Sequence, residues 1–451
     1  MKGPLARTLV ALAVCAGLGY FAWKEFNQEG PDDKDKKEKV ASFDKSKAAS
    51  VSLEREGGES LKVVKQGEFW RLTAPSDVPA SSTEVEALVS GFEALEIQDV
   101  VSEAPGDLKP FGLDPPKTRA TLTLEGVAEP VAVLLGDPTP DGTAVYAQRP
   151  GQPKLFTIAT YLAGALDKRP FDLRDRDLLH VARDNVRTLD VTGPEGSFGL
   201  ARDERGDWAI VKPLKTQAGR WPVDSLLGLV EALRIDSVVA ESAADLKPFG
   251  LDPPARTVTL GMADGSTKRL EIGAATPDQK HHVREAQGRL VGLIAGALVD
   301  DLAKGMGELR AKRLLDVSTY DIEALEARLA GKDFAYARSS EKDKDGVETF
   351  KWKRTAPDAK DVETAKVEDV LFKLTGLEVQ QFVDAPSAPS TYGLDAPELK
   401  LTLKQGGGKP ALTVEVGRKD GQVHARRAGD DALLQLDAAK FDEAIKGLNS
   451  L

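Results

Sequence analysis

The residues that most often carry chemistry are sparse in this chain: four histidines (His180, His281, His282 and His424) and a single cysteine, Cys15. His281 and His282 invite a metal reading. Adjacent residues on a strand point to opposite faces, however, so they chelate one ion poorly. Gly406-Gly407-Gly408-Lys409 has the glycines of a phosphate loop but neither its leading spacing nor a following Ser or Thr, and reads as a hairpin turn. Arg205-Gly206-Asp207 is an RGD tripeptide just before a tryptophan and also reads as a turn. From Phe171 to Asp177 charges alternate, as in a solvated or salt-bridged linker helix. No nucleophile elbow, cysteine–histidine pair or carboxylate pair recurs. The expectation is a non-enzymatic protein with no catalytic residue, no cofactor and no metal.

What does recur is a turn motif. Asp107 to Pro116 reads DLKPFGLDPP, and the same ten residues return from Asp245 to Pro254, an offset of 138. A looser third copy is Tyr392-Gly393-Leu394-Asp395-Ala396-Pro397. Trp70, Trp208 and Trp352 keep step, each five residues before a proline (Pro75, Pro213 and Pro357). Gly112 and Gly250 can take positive φ cheaply. Asp114 and Asp252 suit hydrogen bonds to backbone donors two residues on, and Pro115 and Pro253 hold the exit extended. Gly393, Asp395 and Pro397 are the counterparts in copy three. Self-similarity of this kind marks a repeat protein.

The elements around these landmarks repeat too. Val85, Leu88, Val89, Phe92 and Leu95 follow the spacing of one helical face. So do Val223, Leu226, Leu227, Val230 and Leu233, and Val367, Val370, Leu371, Leu374 and Leu377. Ser81 with Glu84, or Thr83 with Glu86, suits a capping box. Before each helix, period-two stretches such as Val51/Leu53 and Leu61/Val63 predict strands. After each motif, further alternating runs close at Gly136, Gly273 and Gly417. Each copy is then about eight short strands with a central amphipathic helix and a short terminal helix. That is an α+β domain with antiparallel pairing. The expected organisation is an N-terminal segment 1–23, a charged linker 24–39, and repeats 40–178, 179–315 and 316–451.

The N-terminal segment departs from the average. An uncharged, mostly apolar run from Thr8 to Trp23 follows Lys2 and Arg7, and Tyr20, Phe21 and Trp23 lie at its far end. This suits an uncleaved transmembrane helix with interfacial aromatics. A removed signal peptide, a buried core helix or lipidation at Cys15 are the alternatives. Lysines on both sides leave orientation open, and an export-type layout favours an extracytoplasmic body. The whole chain is 41% hydrophobic and 29% charged with a net charge of −11. That composition is globular, and its acidity argues against nucleic-acid binding.

Trp before proline, the amphipathic helix, (F/Y)GLD(P/A)P, a strand ending in glycine and a VYA-like strand at Tyr146 resemble, in this order, the bacterial domain-of-unknown-function family 4340. The resemblance covers nearly all of 40–451. It implies an N-terminal membrane segment and proximity to ABC transporters similar to the gliding-motility type. The expected role is an inner-membrane, single-pass envelope protein with its body in the periplasm. It would act as accessory or scaffold through protein binding to an envelope partner, plausibly the transporter complex. A module binding glycan or solute in clefts between repeats is the alternative.

Overall fold

Alternation at Val51, Leu53, Leu61 and Val63 puts one side of each early strand into a core, and all four are buried in the computed structural model. The structure describes residues 37–342 and 348–451. The apolar run at 8–23 and most of the charged linker lie outside the described residues. Among the described residues no helix is long and apolar enough to cross a membrane.

In copy one the strands are β1 (Ala48–Arg55), β2 (Ser60–Gln66), β3 (Phe69–Ala74), β4 (Val78–Ala80), β5 (Asp99–Ser102), β6 (Thr118–Leu124), β7 (Val131–Pro138), β8 (Ala144–Gln148) and β9 (Leu155–Ala159). They form one antiparallel sheet in the order β4-β3-β2-β1-β6-β7-β8-β9-β5. The same nine-stranded order recurs between Val186 and Ile294 and again between Ile322 and Leu436. Nine strands stand where the periodicity suggested about eight. The edge strands β4 and β5 are only three and four residues long, too short to show alternation, and Pro79 suits an edge.

Helix α1 (Ser82–Ala94) carries the chain from β4 at one edge to β5 at the other. Its stripe of Val85, Leu88, Val89 and Phe92 is buried against Val51, Leu53, Leu61 and Val63 in one cluster. The matching stripes on Arg220–Glu231 and Thr364–Thr375 are buried as well. Ser81 caps α1, its oxygen accepting the Glu84 N–H at 3.4 Å. The Glu84 carboxylate pairs with Lys168 at 3.2 Å, so no capping box closes. Short helices end the copies: Thr160–Gly164 and Pro170–Leu173, Ala297–Ala303 and Gly305–Leu309, and Ala438–Asn449.

The sheet has a second, smaller core on its other face. Leu113 from the repeated turn packs there with Leu134 and Leu155, flanked by Leu108, Phe111 and Tyr146. On β7, Val133 and Leu135 face α1 while Leu134 faces the turn, as the two-residue strand period requires. The chain divides into two compact units, one ending at Arg176 and one from Asp177 to Leu451. The second holds copies two and three.

Candidate functional site

The repeated motif builds the same object three times. Lys109–Phe111, Lys247–Phe249 and Pro389–Tyr392 each form one 3-10 turn, closed by Gly112, Gly250 and Gly393 in the left-handed region at φ 65°, 64° and 72°. The strand glycines meet this turn. A Cβ on Gly136 would overlap the Phe111 carbonyl oxygen, one on Gly273 that of Phe249, and one on Gly417 that of Gly393. The two halves of the motif, far apart in sequence, are thus in backbone contact, which only glycine permits.

A ring pair seals each junction: Phe111 with Tyr146 at 4.9 Å, Phe249 with His282 at 5.3 Å, and Tyr392 with His424 at 5.0 Å between centroids. Burial holds the His282 imidazole below its usual range, helped by the neighbouring His281, and burial alone does the same for His424. His424 Nδ1 has no hydrogen-bond partner among the described residues. The Asx-type bond expected of Asp114 is made elsewhere. Asp107 and Asp245 accept from the N–H groups of Lys109 and Lys247 at 3.0 Å each. Asp114, Asp252 and Asp395 stand exposed at the tip with Pro115 and Pro253, where solvent competes for their carboxylates. Pro397 is half-buried at the exit. Trp70, Trp208 and Trp352 are buried on the third strand of each copy, with the Lys65 ammonium 5.9 Å from the Trp70 ring. The motif residues are therefore brought together as a brace.

The short chemical motifs resolve into turns. Asp203 accepts from the N–H groups of both Arg205 and Asp207 at 2.9 Å, which folds the RGD tripeptide into a hairpin tip. Gly407 and Gly408 take positive φ between the strands Leu399–Gln405 and Leu412–Lys419. His281 Nδ1 lies 3.1 Å from the Gly273 carbonyl oxygen, and among the described residues no group of three or more His, Cys, Asp or Glu is placed to hold a metal.

One polar cluster escapes sequence reading because its members lie about two hundred residues apart. Within the second unit the loop after Arg427 docks on the short strand Thr216–Gln217. Asp430 accepts from Arg427 Nε at 2.8 Å, from the Thr216 hydroxyl at 2.9 Å and from the Gln217 N–H at 3.1 Å. Asp431 accepts from the Lys215 N–H at 2.7 Å, and its own N–H donates to the Lys215 carbonyl at 2.7 Å. Arg427 also donates to Gln217 Oε1 and to the Arg313 carbonyl, both at 3.1 Å. Burial lowers the guanidinium pKa, opposed by the Asp430 charge. Nearby, Arg310 pairs with Asp384 at 2.7 Å and lies 4.7 Å from the centroid of the Phe382 ring. Copies two and three thus meet in a built joint. Copy three carries Asp430-Asp431 where copy one has Gln152-Pro153 and copy two Gly288-Arg289.

The fold and its brace define a class: tandem α+β modules, each a nine-stranded antiparallel sheet with a helix on one face and a glycine-locked turn on the other. The chain belongs to the family described as Domain of unknown function (DUF4340), which matches it twice, over residues 70–218 and 208–397. Comparison with curated protein sequences finds no match. Among solved structures, the DNA polymerase sliding clamp from Pseudomonas aeruginosa aligns at 8% identity over 86% of this chain and 91% of that one. Its TM-score of 0.15 gives that likeness no weight.

Proposed function

We propose that this chain is a non-enzymatic, membrane-anchored envelope protein that acts as an accessory or scaffold, its body outside the cytoplasmic membrane and its partner a component of an ABC-type transporter. The anchor is the apolar run ending at Trp23, and the repeats present surface to the partner. One observation carries the reading: the tryptophans and helix stripes that the copies share are buried, whereas other large aromatics stand exposed where the copies differ. Trp221 and Tyr320 are each 83% exposed and Phe372 is 71% exposed. The corresponding residues of copy one are Thr83, Ser46 and Ser90. Exposed aromatic side chains are over-represented among the anchors of protein interfaces. The joint at Arg427 and Asp430 supports the same reading, since it fastens two copies so that they offer one surface.

The test is crosslinking followed by capture of the tagged full chain from membranes of its own host. Recovery of a transporter permease or its associated ATPase is expected. A chain that captures no membrane component would overturn the reading.

A further inference from the structure

Copy two departs from its neighbours at one buried position. Where β1 meets β6, copy one pairs Arg55 with Thr118. The second copy has Gly193 and Arg256 at these places, and the third has Leu329 and Leu399, which are buried against each other's strands. In copy one, Arg55 is closed off by the terminal helical segment: it donates to Asp167 at 3.0 Å and to the Lys168 carbonyl at 2.6 Å. In copy two the arginine has moved to the adjacent strand. Its side chain crosses Gly193 so closely that a Cβ there would overlap the guanidinium.

The segment that closes off Arg55 has a different sequence in copy two. Arg174 and Arg310 occupy the same bridge position in their copies, which aligns Ala303, Gly305 and Met306 with Asp167, Arg169 and Pro170. The carboxylate that would face the arginine is gone, and the bulk beside it is reduced. A cavity of about 390 Å³ remains, lined by Phe198, Pro213, Leu302 and Met306 around Arg256. That volume, and a lining that joins apolar side chains to the paired charges of Arg256 and Glu195, match small-molecule sites in general.

Arg256 is 7% exposed, and among the described residues it is paired from the hairpin tip, where Glu195 meets it in a two-bond fork at 2.7 and 3.0 Å. A buried guanidinium without a partner is costly, and that cost is offset by a carboxylate. Glu195 supplies it from a far more exposed position, on the two-residue turn between Gly193 and Gly196.

We infer that the copy-two cavity is a binding site for a small carboxylate with an apolar body, whose carboxylate takes the place of Glu195 on Arg256 while its chain fills the space beside Leu302 and Met306. A carboxylate exchanged for a carboxylate keeps the guanidinium paired, and the apolar body gains burial. The inference does not rest on the docking reading above.

Octanoate is the probe, titrated calorimetrically into the purified full chain, with octanol and octylamine as controls. Saturable octanoate binding and a rise in Tm are expected, without either for the controls. Glu195→Gln removes the internal competitor's charge and should tighten octanoate, whereas Arg256→Met should weaken it, each by at least about tenfold. Ser197→Phe leaves the ion pair in place, narrows the cavity and should also weaken binding. It serves as the second variant where Arg256→Met does not fold. No octanoate binding to wild type and Glu195→Gln, octanol binding as tightly as octanoate, or binding undiminished in both Arg256→Met and Ser197→Phe would each overturn the assignment.

Discussion

Gly136 lies against the carbonyl oxygen of Phe111, closer than any Cβ could approach, and the relationship is repeated at Gly273 with Phe249 and at Gly417 with Gly393. The turn on the sheet's second face is therefore fastened to the strand beneath it by backbone contact. Gly136→Ala is expected to cost about 2–3 kcal/mol, because neither the turn carbonyl nor the strand can yield without disturbing the Leu113 core. Gly106→Ala, where a Cβ meets open space, is the control and should change little. Urea denaturation of the two variants decides the point. Equal midpoints would show that the junction yields freely.

The Arg427–Asp430 pair is the fastening within the second unit, with both side chains 6% exposed. Removing one partner of a buried, hydrogen-bonded pair typically costs about 3–5 kcal/mol, most of it for the charge left behind. Asp430→Ala should therefore destabilise more than the double variant Arg427→Met/Asp430→Ala. A double-mutant cycle in urea measures this, and additive losses would mean that the two charges do not act together.

Titration of His424 should give the second unit a pH-dependent stability. Its folded pKa is depressed by burial, so the folded protein keeps it neutral. The unfolded chain binds that proton near the ordinary value of about 6.5. Between the lower folded value and the unfolded one, the unfolded state holds more protons, and stability falls as pH drops through that window. His424→Tyr, which restores the residue type of Tyr146, should shrink the loss of urea midpoint between about pH 7.5 and about 5.5. His282 contributes in the same direction and keeps the slope from vanishing. An unchanged slope in the variant would contradict the assignment.

The parts of the fold legible in the sequence were those written in local periodicity. The stripe from Val85 to Phe92 and the alternation at Val51 and Leu53 each need only a short window, and both lead to buried faces. The repeat made the brace visible as a pattern, since Gly112 and Gly136 recur together. The cause, a contact between them, needed coordinates. Val78–Ala80 and Asp99–Ser102 escaped because so few residues show no period. Asp107 and Asp114 both suit the same kind of turn in sequence, and only the fold shows that Asp107 faces the backbone donor. The joint at Arg427 and the cavity at Arg256 were invisible for a different reason. Each depends on residues in which one copy departs from the others, so no recurrence marks them.

The central claim, that unshared exposed surface engages a membrane partner, is tested most directly by photo-crosslinking in cells from a probe residue placed at Trp221. Thr83, its counterpart in copy one, is the control position. The account predicts an adduct with a transporter membrane component from Trp221 and none from Thr83. Identical adduct patterns from the two positions, or none from Trp221, would contradict it.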